Sequence, residues 1–164
     1  MKYSVIDIGS NSIRLTVYKV KNGSFKILFK EKHILGLAGY VEGGCLTEEG
    51  ISRAVSGIRD FRNTLTALGI TERIFVFATA SLRNVINTYE AASKIADATG
   101  LEIDVITGEE EAMLGYTGAM QQLDISEGAF VDIGGASTEI ALFRGGAVEK
   151  VKSYRAGSLK LYKV

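Results

Sequence analysis

Tyr3 to Ile8 reads as a short buried strand, and the apolar run breaks at Gly9-Ser10-Asn11-Ser12. Ile13, Leu15, Val17 and Tyr18 then alternate loosely with polar residues and predict a second strand. Asn22-Gly23 is the strongest short-range hairpin signal in the chain, and Phe25, Ile27 and Phe29 alternate beyond it as a third strand. The opening is therefore read as an antiparallel meander. Gly36 to Gly44 follows as a glycine-rich loop. Thr47-Glu48-Glu49 starts a helix with acids in its first turn, where the helix dipole favours them. Ile51, Val55, Ile58, Phe61, Leu65 and Leu68 keep helical spacing until Gly69 closes the run. Ile74 to Phe77 is a continuous apolar strand, Asn87 to Ala98 a second helix ended by Gly100, and Leu101 to Ile106 another strand. Thr107-Gly108-Glu109-Glu110 fits a capping box, so a third helix should run from there to about Gln122. Ala129 to Ile133 is strand again, and Thr138 to Phe143, the Arg144-Gly145-Gly146 turn and Val148 to Tyr154 form a further hairpin. Hairpins at both ends with alternating strands and helices between them read as α/β with a mixed sheet.

Composition narrows the class. The 164 residues are enough for one compact domain. Nineteen Lys plus Arg balance nineteen Asp plus Glu, which argues against a dedicated nucleic-acid binder. Cys45 is the single cysteine, so there is neither an intrachain disulfide nor a multi-cysteine zinc site. The single histidine, His33, leaves little material for His-based catalysis. No apolar run approaches the ~20 residues of a membrane span, and no leader pattern is evident at Met1-Lys2-Tyr3. A soluble cytoplasmic protein is expected. Nineteen glycines, where average usage predicts about eleven, sit mostly at the ends of apolar runs. Tight turns or close backbone approaches need them there.

The chain also repeats itself. Val5-Ile6-Asp7-Ile8-Gly9-Ser10-Asn11-Ser12 resembles Phe130-Val131-Asp132-Ile133-Gly134-Gly135-Ala136-Ser137 at one spacing of 125 residues. Two unrelated hairpins using common turn residues would account for this. So would a duplicated fold whose two lobes each present one phosphate-binding hairpin. Small residues let backbone N–H groups reach phosphate oxygens, and an Asp at the strand end can hold a divalent cation or a water. The second copy stops at Val164, after its hairpin strands, so a fragment of a longer protein is expected.

Five segments, in order, resemble the N-terminal half of the exopolyphosphatase/guanosine pentaphosphate phosphohydrolase family. They are Asp7-Ile8-Gly9-Ser10-Asn11-Ser12, Ala78-Thr79-Ala80-Ser81-Leu82-Arg83, Ile106-Thr107-Gly108-Glu109-Glu110-Glu111-Ala112, Val131-Asp132-Ile133-Gly134-Gly135-Ala136-Ser137-Thr138-Glu139, and Gly157-Ser158-Leu159. The family belongs to the actin-like ATPase, sugar-kinase and acetate-kinase superfamily. The resemblance implies a ribonuclease H-like, actin-type lobe over residues 1–124, with a mixed five-stranded sheet and flanking helices. Residues 125–164 would begin a second, similar lobe. It further implies a Mg²⁺-dependent hydrolase, with its site between lobes. Such an enzyme releases terminal orthophosphate from inorganic polyphosphate or guanosine pentaphosphate. By position, Glu111 matches the carboxylate that activates the attacking water. Asp132 and Glu139 match carboxylates near the metal, and Ser10, Asn11, Arg83, Gly134, Gly135 and Ser137 match phosphate-contacting positions; the repeat adds Asp7 as the metal-facing counterpart of Asp132 and Ser12 as the phosphate-facing counterpart of Ser137. A homodimer is expected, with little turnover from the chain alone. Ala136 departs from the family's third glycine, and Ile34-Leu35-Gly36-Leu37-Ala38 departs from its Arg-Leu-Gly-Glu-Gly stretch.

Plainer readings stand beside these roles. Glu109 and Glu110 read as cap and dipole chemistry. Asp7 and Asp132 read equally as turn caps, Arg83 as a solvated cation and Glu139 as a solvent-facing strand residue. Cys45 and His33 take no role, and Lys26, Lys30, Glu31 and Lys32 read as a solvated face. Two other functions use the same loops: nucleotide binding with kinase-like transfer, and non-catalytic sensing of guanosine tetra- and pentaphosphate.

Overall fold

The computed structural model describes residues 1–161, in which the chain divides into two compact units, Met1–Val105 and the residues from Ile106 onward. The first unit opens with strands β1 (Lys2–Ile8), β2 (Ser12–Lys21) and β3 (Ser24–Ile34). A 3-10 turn (Leu37–Tyr40) and the short strands β4 (Val41–Glu42) and β5 (Cys45–Leu46) occupy the stretch read as an irregular loop. Helix α1 (Glu48–Ala67), β6 (Ile74–Ala78), the short α2 (Ala80–Arg83), α3 (Thr88–Thr99) and β7 (Ile103–Val105) complete the unit. The sheet order is β3-β2-β1-β6-β7. The first three strands pair antiparallel, and β6 and β7 add in parallel to β1. This is the mixed five-stranded sheet the sequence implies.

Helix α1 forms where expected because Thr47 caps it, its hydroxyl accepting from the Gly50 N–H at 3.2 Å. Ile51, Ala54, Ile58, Phe61 and Leu65 follow at helical spacing and lie buried against Ile6, Ile8, Leu15 and Val17 of the sheet. Helix α3 adds Ala91 and Ile95 to the same core. Outside it, Lys94 bridges Glu48 of α1 and Glu90 of its own helix, and these hydrogen bonds push its ammonium up to about 12. A raised pKa means this contribution is complete below the ordinary 10.5 and is lost as pH rises through about 12.

The third strand is longer than the pattern predicts and does not alternate. A bulge at Leu28 sets Ile27 opposite Tyr18 but Phe29 opposite Val17. Phe29 therefore packs on the core, while Phe25 and Ile27 stay exposed. Beyond the bulge Lys30 and Lys32 are exposed, as expected. Glu31 is half-buried and bound to His33 at 2.9 Å, and His33 packs on the Phe61 ring with centroids 4.7 Å apart.

The second unit holds α4 (Gly108–Met120), β8 (Glu127–Ile133), β9 (Thr138–Arg144), β10 (Ala147–Tyr154) and the short α5 (Ser158–Leu161). Its sheet order is β10-β9-β8, antiparallel throughout. The helix assigned from sequence to residues 1–124 belongs with this sheet. Tyr116 of α4 packs with Ala141 and Phe143, flanked by Met120, Phe130, Val148 and Val151. Its hydroxyl donates to the Gly146 carbonyl at 3.1 Å. The compact units thus part at Val105, before the helix, because the apolar side of α4 is spent on the second sheet.

The capping box at the start of α4 is present in full. Glu110 accepts from the Thr107 N–H at 2.7 Å, and the Thr107 hydroxyl accepts from the Glu110 N–H at 3.1 Å. The backbone bond, then the hydroxyl bond, hold the Glu110 carboxyl below its ordinary value of 4.5. With a depressed pKa, the cap contributes fully above that ordinary value and is lost as pH falls through the lowered one. An NMR titration of the Thr107 amide is expected to show its midpoint below 4.5. A midpoint at or above it would mean that the cap is not formed in solution.

The repeat is structural. Asp7 faces Arg14 and Ile8 faces Ile13 across β1 and β2, as Asp132 faces Glu139 and Ile133 faces Thr138 across β8 and β9. Both central hairpins turn through two consecutive residues with positive φ, Asn22-Gly23 and Gly145-Gly146. The bulges also correspond: the extra residue is Leu28 opposite Val17 and Tyr18, and Glu149 opposite Leu142 and Phe143. Two unrelated hairpins would not share register, bulge and turn together.

Candidate phosphate turns and their carboxylates

Each copy of the repeat closes its first turn with one bond. The Gly9 N–H donates to the Ser12 carbonyl at 3.0 Å, and the Gly134 N–H to the Ser137 carbonyl at 2.9 Å. The chain then returns after the third strand to brace the turn. In the first unit the Ala38 N–H donates to the Ser10 carbonyl at 2.9 Å, and the Leu35 and Gly36 N–H groups share the Asn11 carbonyl. In the second, the Leu159 N–H donates to the Gly135 carbonyl at 2.9 Å and the Ser158 N–H to Gly134. Ser10, Ser12 and Ser137 are buried, and Asn11 is exposed.

Gly157 shows how close this bracing is. A Cβ there would lie 2.5 Å from the Gly135 carbonyl carbon and 2.6 Å from the Ala136 nitrogen. Both neighbours are backbone, so Gly157→Ala must displace the second turn. We expect it to cost the second unit about 1–3 kcal/mol, as overpacking does. The measurement is hydrogen exchange at Gly134–Ser137. Unchanged exchange there would show that the turn is not braced by this contact. Gly157 stands 121 residues after Gly36, the shorter second hairpin accounting for the difference from 125.

In the first unit Arg83 ends α2, at the carboxyl end of β6, which runs parallel to β1 with Ala78 beside Ile8. Ligand sites of α/β sheets cluster at such strand ends. Two donors tie this segment to β1: the Thr79 N–H at 3.3 Å and the Ser81 hydroxyl at 2.6 Å both reach the Ile8 carbonyl. Ser81 was not picked out as a site residue, because a lone serine carries no signal in sequence. Its hydroxyl ties the segment that ends in Arg83 to β1. Ser81→Ala is expected to cost about 1 kcal/mol in urea denaturation, and no change would mean that the Thr79 bond suffices. Asp7, on the sheet beside this turn, has Arg14 Nη1 at 3.9 Å.

In the second unit Asp132 and Glu139 are direct cross-strand neighbours. The solvent-facing reading of Glu139 is overturned. Its side chain is 1% exposed and accepts from the Ser153 hydroxyl at 2.8 Å. A carboxylate is buried at this cost only with partners. Glu111 is half-buried in the first turn of α4, one turn before Gly115, whose Cα lies against the Phe130 ring. That places Glu111 on the side of the helix that faces β8. Among the described residues no three His, Cys, Asp or Glu side chains form a metal-binding group, and no helix is long and apolar enough to cross a membrane.

Known proteins resemble this chain in sequence and fold. The model of the Ppx/GppA phosphatase family matches residues 16–163. A guanosine-5'-triphosphate,3'-diphosphate pyrophosphatase of Photobacterium profundum is 35% identical over 94% of this chain and 31% of its own length. Exopolyphosphatase 2 of Mycobacterium tuberculosis is 35% identical over 94% of this chain and 51% of its own. The crystal structure of an exopolyphosphatase from Cytophaga hutchinsonii superposes with a TM-score of 0.89 at 26% identity, covering 99% of this chain and 53% of that one. The chain thus spans between a third and about half of these relatives. Match, identity and superposition agree, and the chain belongs to the Ppx/GppA phosphatase family.

Proposed function

We propose that this chain supplies the phosphate-binding turns and the catalytic carboxylate of a hydrolase acting on phosphoanhydrides. In this reading it releases terminal orthophosphate from inorganic polyphosphate or guanosine pentaphosphate. The observation that carries the reading is the pair of matching strand-Asp-turn elements, closed by the same glycine-to-serine bond, in a member of this phosphatase family. The turn carbonyls of Ser10, Asn11 and Ser12 are taken by inward donors, so amide N–H groups and hydroxyls are what a phosphate would use. Arg83 adds a planar fork of donors suited to phosphate oxygens. Glu111 orients a water and takes its proton for in-line attack. Phosphoryl transfer asks mainly for positioning and charge stabilisation, which these groups are suited to give.

Mg²⁺ suits the donors better than a metal that demands a full protein cage. It keeps several waters and takes one or two carboxylates plus substrate oxygens. The adjacent Asp132 and Glu139 would hold it, with Asp7 serving the first turn. When bound, the ion supplies charge neutralisation on the phosphoryl group.

The test is binding, because it does not require turnover by this length of chain. Calorimetric titration with long-chain polyphosphate is expected to show saturable binding that Arg83→Ala weakens about tenfold, the worth of a charge-assisted pair. Absence of saturable binding, or binding that Arg83→Ala leaves unchanged, defeats the reading. Transfer of phosphate to an added hydroxyl acceptor, rather than to water, would replace hydrolysis with kinase chemistry.

A further inference from the structure

The first sheet has a second face, turned away from α1 and α3. Ile13, Leu15 and Val17 of β2 point into the core, so Arg14, Thr16 and Tyr18 point the other way. An open groove of about 490 Å³ runs there, lined by Asp7, Arg14, Thr16, Tyr18, Lys30 and Lys32. Arg14 stands directly opposite Lys32 across β2 and β3, and Lys30 stands opposite Thr16. All three cations are exposed. Like charges placed directly opposite one another destabilise a sheet. The contact from Arg14 Nη1 to Asp7, long at 3.9 Å and open to water, offsets little of that. Glu31 does not offset it either, because its carboxylate is bonded to His33 on the α1 side. The whole chain has equal numbers of acidic and basic residues, so this is a local excess.

The second copy shows how these positions look when a helix covers them. Its register puts Glu139 opposite Ser153 and Ala141 opposite Val151, where the first copy has Arg14 opposite Lys32 and Thr16 opposite Lys30. Ala141 and Val151 pack with Tyr116 of α4, and Glu139 is buried against the Ser153 hydroxyl. A helix laid on the first copy in that way would bury Lys30 in the place of Val151 and Lys32 in the place of Ser153. Burying unpaired ammonium groups costs more than apolar contact returns. The basic side chains therefore mark this part of the face for an anion and not for an apolar partner.

The groove also starts at the right place. Asp7 and Arg14 are the cross-strand pair next to Ile8 and Ile13, which lead into the Gly9–Ser12 turn. Arg14 with Lys32, then Thr16 with Lys30, follow away from that turn, one step for every two residues or roughly 7 Å. We infer that Arg14, Lys32 and Lys30 form a distal subsite that holds phosphates of an inorganic polyphosphate chain beyond those bound at the first turn. This rests on the phosphoanhydride reading above and adds a substrate preference to it. A linear polyanion long enough to leave the turn gains the subsite, and a short one does not.

The experiment compares tripolyphosphate with long-chain polyphosphate by calorimetric titration of the chain and of a Lys30→Gln/Lys32→Gln variant. The variant is expected to bind the long form about tenfold more weakly, the scale of two charge contacts. Its affinity for tripolyphosphate is expected to stay within about twofold of the unaltered chain's. Urea denaturation without ligand should find the variant no less stable, because the substitutions relieve the repulsion between Arg14 and Lys32. Unchanged affinity for the long form overturns the inference, and so does an equal loss for both forms, which would make the lysines a general field. A clear loss of stability overturns it as well, since the lysines would then serve the sheet. An oligothymidylate that binds the unaltered chain as tightly as polyphosphate would make the groove a nucleic-acid surface instead. Failure of the phosphoanhydride reading shows separately, as absence of tripolyphosphate binding to the unaltered chain, and it takes this inference with it.

Discussion

Phe61→Ala is expected to destabilise the first unit by about 3–5 kcal/mol, the cost of removing a fully buried aromatic ring. Phe61 has no exposed surface and stands on the inner side of α1 within the cluster that contains Ile6, Ile8, Ile58 and Leu65. It also supports the His33 ring, and with it the half-buried Glu31. The site residues of this unit depend on that core indirectly, because the Ser10–Ser12 turn and Arg83 hang from the ends of β1 and β6. A domain of this size has about 5–15 kcal/mol to lose. Calorimetry should therefore show a large drop in the melting temperature of this unit. Hydrogen exchange should show amides of β1 and β2 opening while those of β9 and β10 keep their protection. A loss below about 1 kcal/mol would mean that the cavity collapses, or that this helix face is not the centre of the core.

The elements that were legible in sequence are those whose local chemistry and tertiary role agree. Thr47, Thr107 with Glu110, and Gly100 mark helix ends by capping, and each stands where expected. Asn22-Gly23 gives the first hairpin for the same reason. Legibility failed where a long-range contact decided the outcome. Phe25, Ile27 and Phe29 promise one shared face, and the bulge at Leu28 breaks it. Helices α2 and α5 have four residues each, too few for a periodic pattern, and hydrogen bonds to Ile8, Gly134 and Gly135 hold them. The division of the chain at Val105 was invisible because α4 packs on strands that come later in sequence. Among candidate site residues, the resemblance named Asp132 and Glu139 together, but neither their cross-strand pairing nor the burial of Glu139 was legible. Its partner Ser153 lies on another strand and carries no mark in the sequence.

Glu110 caps α4, and the role proposed for the adjacent Glu111 is separable from it by substitution. Glu111→Gln is expected to leave polyphosphate binding within about twofold and to cut orthophosphate release at least ~100-fold wherever the wild-type protein releases it, the scale of a lost general base. The amide keeps the shape of the carboxyl and its ability to accept a hydrogen bond, but it does not take a proton from water. Glu110 occupies the third helical position and turns back to the Thr107 N–H, so Glu110→Gln should lower the stability of α4 without touching turnover. One residue further along, the helix has rotated by about 100°, which carries the next side chain away from the cap and to the side that packs on β8. Equal loss of turnover in both variants would mean that the helix start acts as a structural unit and that Glu111 is not the base. Full release by Glu111→Gln would remove the base from this position altogether. The pH profile separates these outcomes from a folding defect. Loss of a base changes the shape of the profile, whereas a weakened helix lowers the rate at every pH alike.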